Sequence, residues 1–181
     1  IDQCGPGQGP TTIKPVMVEA RDPFDDNGNP TLDDRYNTPH RFTVHVNYPN
    51  DVLMEITSEG RNGILVEGTK GRIFVNRGTI AGKPIEELEN NPLPGGWLED
   101  MYGGPVVEHV NNFFDCIASR KKPASDVLTH VASINTCHLS NIAIRLNRQL
   151  QWDAITQTIK DDAVANAMLK RDFRKGYEIE L

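Results

Sequence analysis

HRFTVHVNYPNDVLMEITSEG, residues 40–60, is the stretch on which the fold class turns. Phe42, Val44 and Val46 alternate with Thr43, His45 and Asn47, so a strand here has one apolar and one polar face. Tyr48-Pro49-Asn50-Asp51 is a turn by composition, because Pro fixes φ and Asn and Asp favour local backbone bonding. Residues 52–59 then return as a second strand, which Gly60-Arg61-Asn62-Gly63 interrupts. Residues 64–68 (ILVEG) and 72–78 (RIFVNRG) form a further hairpin around Thr69-Lys70-Gly71. Strands joined by such short turns are antiparallel, since parallel neighbours need a crossover of about a dozen residues. The middle of the chain is expected to be an antiparallel meander.

Upstream, residues 1–14 are rich in Gly, Pro and Thr and read as an extended lead-in; 15–20 (PVMVEA) reads as a short strand. Residues 21–39 form a long polar loop with Pro23, Pro30, Pro39 and five aspartates. Loops of this length are uncommon in compact domains and are usually functional or mobile. Downstream, 81–104 reads as loop with one helical turn at PIEEL. After Pro105 the period becomes helical: Val106, Val110, Phe113 and Ile117 share a face, widened by Val107 and Phe114. SRKKPASD ends that helix and puts basic residues in its last turn. Ser125 or Asp126 caps a longer helix to about Asn147, with Val127, Val131, Ile134, His138 and Ile142 inward and Leu128, Leu139 and Leu146 alongside. QLQWD (149–153) is a short strand and DDAVANAMLKRDF a capped terminal helix. Strands first and helices after predict an α+β fold: an open, mostly antiparallel sheet with helices packed on one face. Residues 1–181 are read as a single domain, strand-rich over 15–80 and helix-rich over 105–181.

Composition narrows the function. The 181 residues carry 19 basic and 25 acidic side chains, a net charge of −6, which argues against a nucleic-acid partner. Hydrophobic residues at 38% and charged ones at 24% allow a core, and no apolar run approaches a membrane span. Cys4, Cys116 and Cys137 have neither disulfide-framework nor zinc spacing, and both later cysteines look buried in helical apolar patterns. The chain starts at Ile1 without an initiator Met or leader, so it is expected to be processed or cut from something longer. The compartment, bacterial cytoplasm or exported, is not legible.

Several motifs invite chemistry. Cys4-Gly5-Pro6-Gly7-Gln8-Gly9-Pro10 imitates a dinucleotide fingerprint, but Pro10 replaces the third glycine, with no strand before and no helix after. A linker is the better reading. Asp25, Asn27, Asn29 and Asp33 imitate a calcium loop, yet Pro30 and Tyr36 stand where Gly and Glu belong, leaving a solvated loop. His130 and His138 are too far apart to share a metal ion unaided; His138 reads as a hydrogen-bonded core histidine, and His109 starts a helix. From its residues the break Glu59-Gly60-Arg61-Asn62 reads as an ordinary wide hairpin turn with solvated charges, the alternative being charged side chains that project over the sheet rim to contact a ligand.

YNTP (36–39), EGTKGRIFVNRG (67–78), HVNNFFDCIASRKKP (109–123), HLSNIAIRL, QLQWD and DDAVANAMLKRDFRKG together resemble the C-terminal domain of the Gfo/Idh/MocA oxidoreductases, in a bacterial subgroup classed as dehydrogenases. The resemblance implies a domain that covers the nicotinamide of NAD or NADP held elsewhere, supplies part of a sugar, inositol or polyol pocket, and forms homo-oligomers through its sheet face. It implies no catalytic, cofactor or metal residue in this chain. The family's Glu-Lys-Pro lysine is not matched by Lys83-Pro84, and its Asp-x-x-x-His would end just upstream of Ile1. Substrate contacts carry over to Glu59, Arg61 and Asn62. Arg61 offers a planar fork of donors to a carboxylate or hydroxyl. The implied function is substrate binding and oligomerisation for hydride transfer, inert in this chain alone. The alternatives are a stand-alone binding or assembly module using its sheet face, or a repurposed hydrolase or lyase. An open sheet face is expected to expose apolar surface between Arg41 and Arg77.

Overall fold

The computed structural model describes residues 9–178 except 33, 50, 103, 105 and 106; for Leu98, Met101 and Tyr102 it describes backbone alone. Cys4, Gly5, Gly7, Asp33, Asn50 and Val106 therefore lie outside the described residues. The elements are β1 (Thr12–Glu19), β2 (Arg41–Asn47), β3 (Leu53–Thr57), β4 (Ile64–Gly68), β5 (Gly71–Val75), β6 (Ile80–Ala81), α1 (Lys83–Asn90), α2 (Trp97–Tyr102), α3 (His109–Ser119), α4 (Val127–Leu146), β7 (Leu150–Asp153), β8 (Thr158–Ile159) and α5 (Ala163–Ala167). They fall into two compact units, Ile1–Glu59 with Val127–Leu181, and Gly60–Asp126. The fold is α+β, and its sheets are open and antiparallel.

In the first unit five strands run in the order β3-β2-β1-β7-β8. Alternation in β2 sends Val44 and Val46 inward, opposite Pro15 and Ile13 of β1 and Ile56 and Met54 of β3. Val16 is an extra residue between Pro15 and Met17, and this bulge brings Val18 opposite Phe42 on the core side. Without it the second half of β1 would present the wrong face. α4 packs on β1 and β2, and Leu139, Ile142, Ala143 and Ile144 close the core over Ile13, Val44, Val46, Leu150 and Trp152. The predicted stripe holds only for the C-terminal half of α4. Thr136, with Oγ1 2.7 Å from the Tyr48 hydroxyl at the end of β2, is the first buried residue. Before it Val127, Leu128, Val131 and Ile134 are exposed, and none of them joins the core cluster. His138 and Cys137 are exposed as well, so neither is a core residue.

β7 matches the predicted strand. β8 follows because the Asp153 carboxylate accepts from the Ile155 and Thr156 amides at 2.9 and 3.1 Å and turns the chain. The predicted terminal helix shortens to α5, capped by Asp162, which accepts from Ala165 N at 2.9 Å. The loop after β1 is docked, not simply solvated. Asp25 accepts from the Asn27 and Asn29 amides, and Arg145 of α4 donates to the Gly28 carbonyl at 2.6 Å.

The second unit holds the β4-β5-β6 sheet, with α1 packed against β5. The hairpin at residues 64–75 is as predicted, but 40–78 is not one meander. Gly60–Gly63 separates two sheets and is no hairpin turn. Lys83 and Pro84 open α1, where a proline suits the first turn, and 97–102 is a helix instead of the expected loop. α3 ends at Ser119 with Arg120 in the left-handed region, so the basic run lies beyond its last turn. Its stripe, Val110, Phe113, Phe114 and Ile117, is exposed. No apolar side chain described in this unit is buried.

Candidate functional site

The polar half of the β2 alternation forms a ladder on the sheet face opposite α4. Thr43 and Thr57 meet hydroxyl to hydroxyl at 3.0 Å, His45 Nε2 lies 3.0 Å from Glu55 Oε2, and Asn47 Nδ2 donates to Thr12 Oγ1 at 2.7 Å. At one end Arg41 bridges two strands: Nη1 donates to both Glu19 oxygens at 3.0 and 3.2 Å, and Nε to Glu59 Oε1 at 2.8 Å. The β2 side chains on this face are polar, and the apolar surface expected between Arg41 and Arg77 appears here only on β3, where Leu53 stands exposed opposite Asn47. The reason is in the pattern itself: alternation places every Phe and Val of β2 under α4. Further exposed apolar surface occurs at Val16 and Met54, on β4 (Ile64, Leu65, Val66) and along α3.

Glu59 closes the first unit just beyond β3, its amide donating to Thr57 Oγ1 at 3.0 Å. The Arg41 guanidinium holds its carboxyl below the usual carboxylate range, so Glu59 is ionised at neutral pH. Only Oε1 is engaged; Oε2 has no partner among the described residues. Arg61 opens the second unit. Its guanidinium lies 4.5 Å over the Phe74 ring, with no carboxylate paired to it among the described residues. Asn62 is exposed, with no hydrogen-bond partner among the described residues. Glu59 and Arg61 thus receive separate partners, Asn62 has none among the described residues, and each of the three retains free donors or acceptors.

Sequence reasoning missed the Arg41 bridge, the His45–Glu55 pair and Asp22. Arg41 and His45 sit at polar positions of a strand already read as alternating, which was the available signal. Asp22, in the loop after β1, is buried with Oδ2 unpartnered among the described residues, and no local pattern marks it. Near α3, Phe113, Cys116, Ile117, Arg120, Lys121 and Pro123 line a shallow hollow of about 300 Å³. Cys116 is half-buried there, its Sγ 3.6 Å from the Lys122 carbonyl. Among the described residues no three His, Cys, Asp or Glu side chains converge as metal ligands.

A dinucleotide pyrophosphate is held by amides where a glycine turn opens a helix. Here the residues after Gly9 enter β1, and a Cβ on Gly9 would lie 3.3 Å from Ala154 Cβ and 3.8 Å from Trp152 Nε1. The described part of this segment packs on β7 and its turn and does not fit a phosphate cradle.

The chain combines open antiparallel sheets with helices, and a family model described as "Oxidoreductase family, C-terminal alpha/beta domain" matches residues 14–179. The chain belongs to this family, as a C-terminal domain of the Gfo/Idh/MocA oxidoreductases. No match to the chain was found among curated proteins or solved structures.

Proposed function

We propose that residues 1–181 act as one substrate-binding and oligomerisation domain of an oxidoreductase that moves a hydride between a sugar, inositol or related polyol and NAD or NADP. The observation carrying the substrate reading is the free hydrogen-bonding capacity at Glu59, Arg61 and Asn62. Hydroxyls donate to ionised carboxylate oxygens and accept from guanidinium N–H groups, so Glu59 and Arg61 are each chemically suited to a polyol. Asn62 adds an amide that does both. The dinucleotide is bound by other residues of the protein, and this chain by itself is catalytically inert. Association is assigned to β4, an edge strand of its sheet with three consecutive exposed apolar side chains.

The test is a titration of the chain with inositol and simple hexoses, followed by NMR. Shifts confined to residues 59–62 and abolished by Arg61→Ala are expected. A spectrum in which those resonances stay fixed would remove the assignment, and turnover of a polyol with NAD or NADP by the chain alone would refute its inertness.

A further inference from the structure

The chain contains two Asn-Gly steps, Asn27-Gly28 and Asn62-Gly63, and the fold treats them differently. Such a step is chemically reactive because glycine has no side chain to shield its amide nitrogen. That nitrogen, once deprotonated, can reach the preceding asparagine Cγ. Reaction requires the glycine amide to be free of hydrogen bonds and the asparagine side chain to rotate.

At the first step the amide condition fails, and the main chain on both sides of the bond is pinned to Asp25. The Gly28 amide donates to the Asp25 carbonyl at 2.9 Å, and the Asn27 amide donates to Asp25 Oδ1 at 2.9 Å. Gly28 is buried, its carbonyl accepts from Arg145, and a Cβ there would lie 3.1 Å from Leu146 Cδ2 and from Met168 Cε. At the second step both hold. Asn62 and Gly63 are exposed, and neither has a hydrogen-bond partner among the described residues. Gly63 is also required where it stands: a Cβ would lie 2.5 Å from Phe74 Cζ and 2.8 Å from the Val75 carbonyl oxygen. Packing at the start of β4 therefore retains glycine after an unrestrained asparagine.

We propose that Asn62 is a site of spontaneous covalent modification, converting to aspartate and isoaspartate while Asn27 is preserved. The Gly63 nitrogen loses its proton to hydroxide and bonds to Asn62 Cγ. The bond from Cγ to the side-chain nitrogen breaks, and ammonia leaves with the proton returned by solvent. Water then opens the cyclic imide at either carbonyl. Hydrolysis at one gives aspartate; at the other it gives isoaspartate, with the main chain running through the former side chain. Both products place a new carboxylate next to Arg61, which otherwise has only the Phe74 ring. Isoaspartate also lengthens the main chain by one methylene immediately before the close seat of Gly63 on Phe74 and Val75. The assignment holds whether or not Asn62 contacts substrate.

Incubating the purified 181-residue chain at mildly alkaline pH, with peptide mapping by mass spectrometry and isoaspartate detection, tests it. Conversion at Asn62 is expected to outpace Asn27 by at least about tenfold in the folded chain, because Asn27 reacts only after local opening. In concentrated urea the two rates are expected to converge, since both steps are then unrestrained Asn-Gly. Asn62→Gln should abolish the signal from that peptide while keeping a side-chain amide. Equal rates in the folded chain, an unreactive Asn62, or an unchanged preference in urea would each overturn the proposal.

Discussion

Gly28 shows how one residue fixes a long loop. It sits at φ +72, a conformation that favours glycine, and is wedged against Leu146 and Met168. Arg145 crosses from α4 to bind its carbonyl, and the same guanidinium stands 6.0 Å from the Phe24 ring. The 21–39 segment thus reaches its place through one backbone position and one arginine. Gly28→Ala is expected to destabilise the fold by about 2 kcal/mol, from the unfavourable φ and the displaced side chains. Urea unfolding measures this, and a change within error would show that the loop can be repositioned at little cost.

Among the elements, α5 depends on its cap. Asp162 accepts from Ala165 N and forms a bidentate pair with Arg148, both distances 2.8 Å. The Arg148 hydrogen bond, followed by the Ala165 amide, lowers the Asp162 carboxyl below its ordinary value of 3.8. A carboxyl depressed in the folded state contributes stability above its unfolded value, and that contribution fades as pH falls through the folded one. Stability should therefore drop as pH falls below 3.8, and Asp162→Ala should lose about 1 kcal/mol at neutral pH while flattening that acid limb. Urea midpoints from acid to neutral pH decide it: parallel curves for the two proteins would refute the role. The bulge at Val16 works at the same scale, since one inserted residue lets β1 keep both halves facing the core.

For the whole molecule, the five-stranded sheet buries Ile13, Val44, Val46, Leu150 and Trp152 in the core that α4 closes, whereas β4 and α3 leave their apolar side chains exposed. Contiguous exposed apolar surface on an edge strand marks a place of association. If β4 joins copies of the chain, Leu65→Lys is expected to shift sedimentation from dimer to monomer at micromolar concentration with unchanged circular dichroism. A wild-type chain already monomeric there would remove the assignment. β4 and Leu53 of β3 lie within the Arg41–Arg77 range expected to associate, while the ladder around Arg41 and His45 is polar.

Local pattern determined much of this protein. The alternation of β2, the hairpin at residues 64–75, the strand at Leu150–Asp153, the α+β class and the family were all legible, because side-chain period and turn chemistry act over a few residues. Tertiary structure alone decided which apolar faces are covered. Val127, Val131 and Ile134 share helical spacing with buried Ile142, yet only the half of α4 lying over β1 and β2 is closed. It likewise split the predicted meander at Gly60–Gly63, engaged Glu59 through an arginine 18 positions away, and distinguished two identical Asn-Gly steps. The division has one physical cause. Sequence period sets which side of an element is apolar, but burial and hydrogen-bond satisfaction depend on what another part of the chain brings against that side.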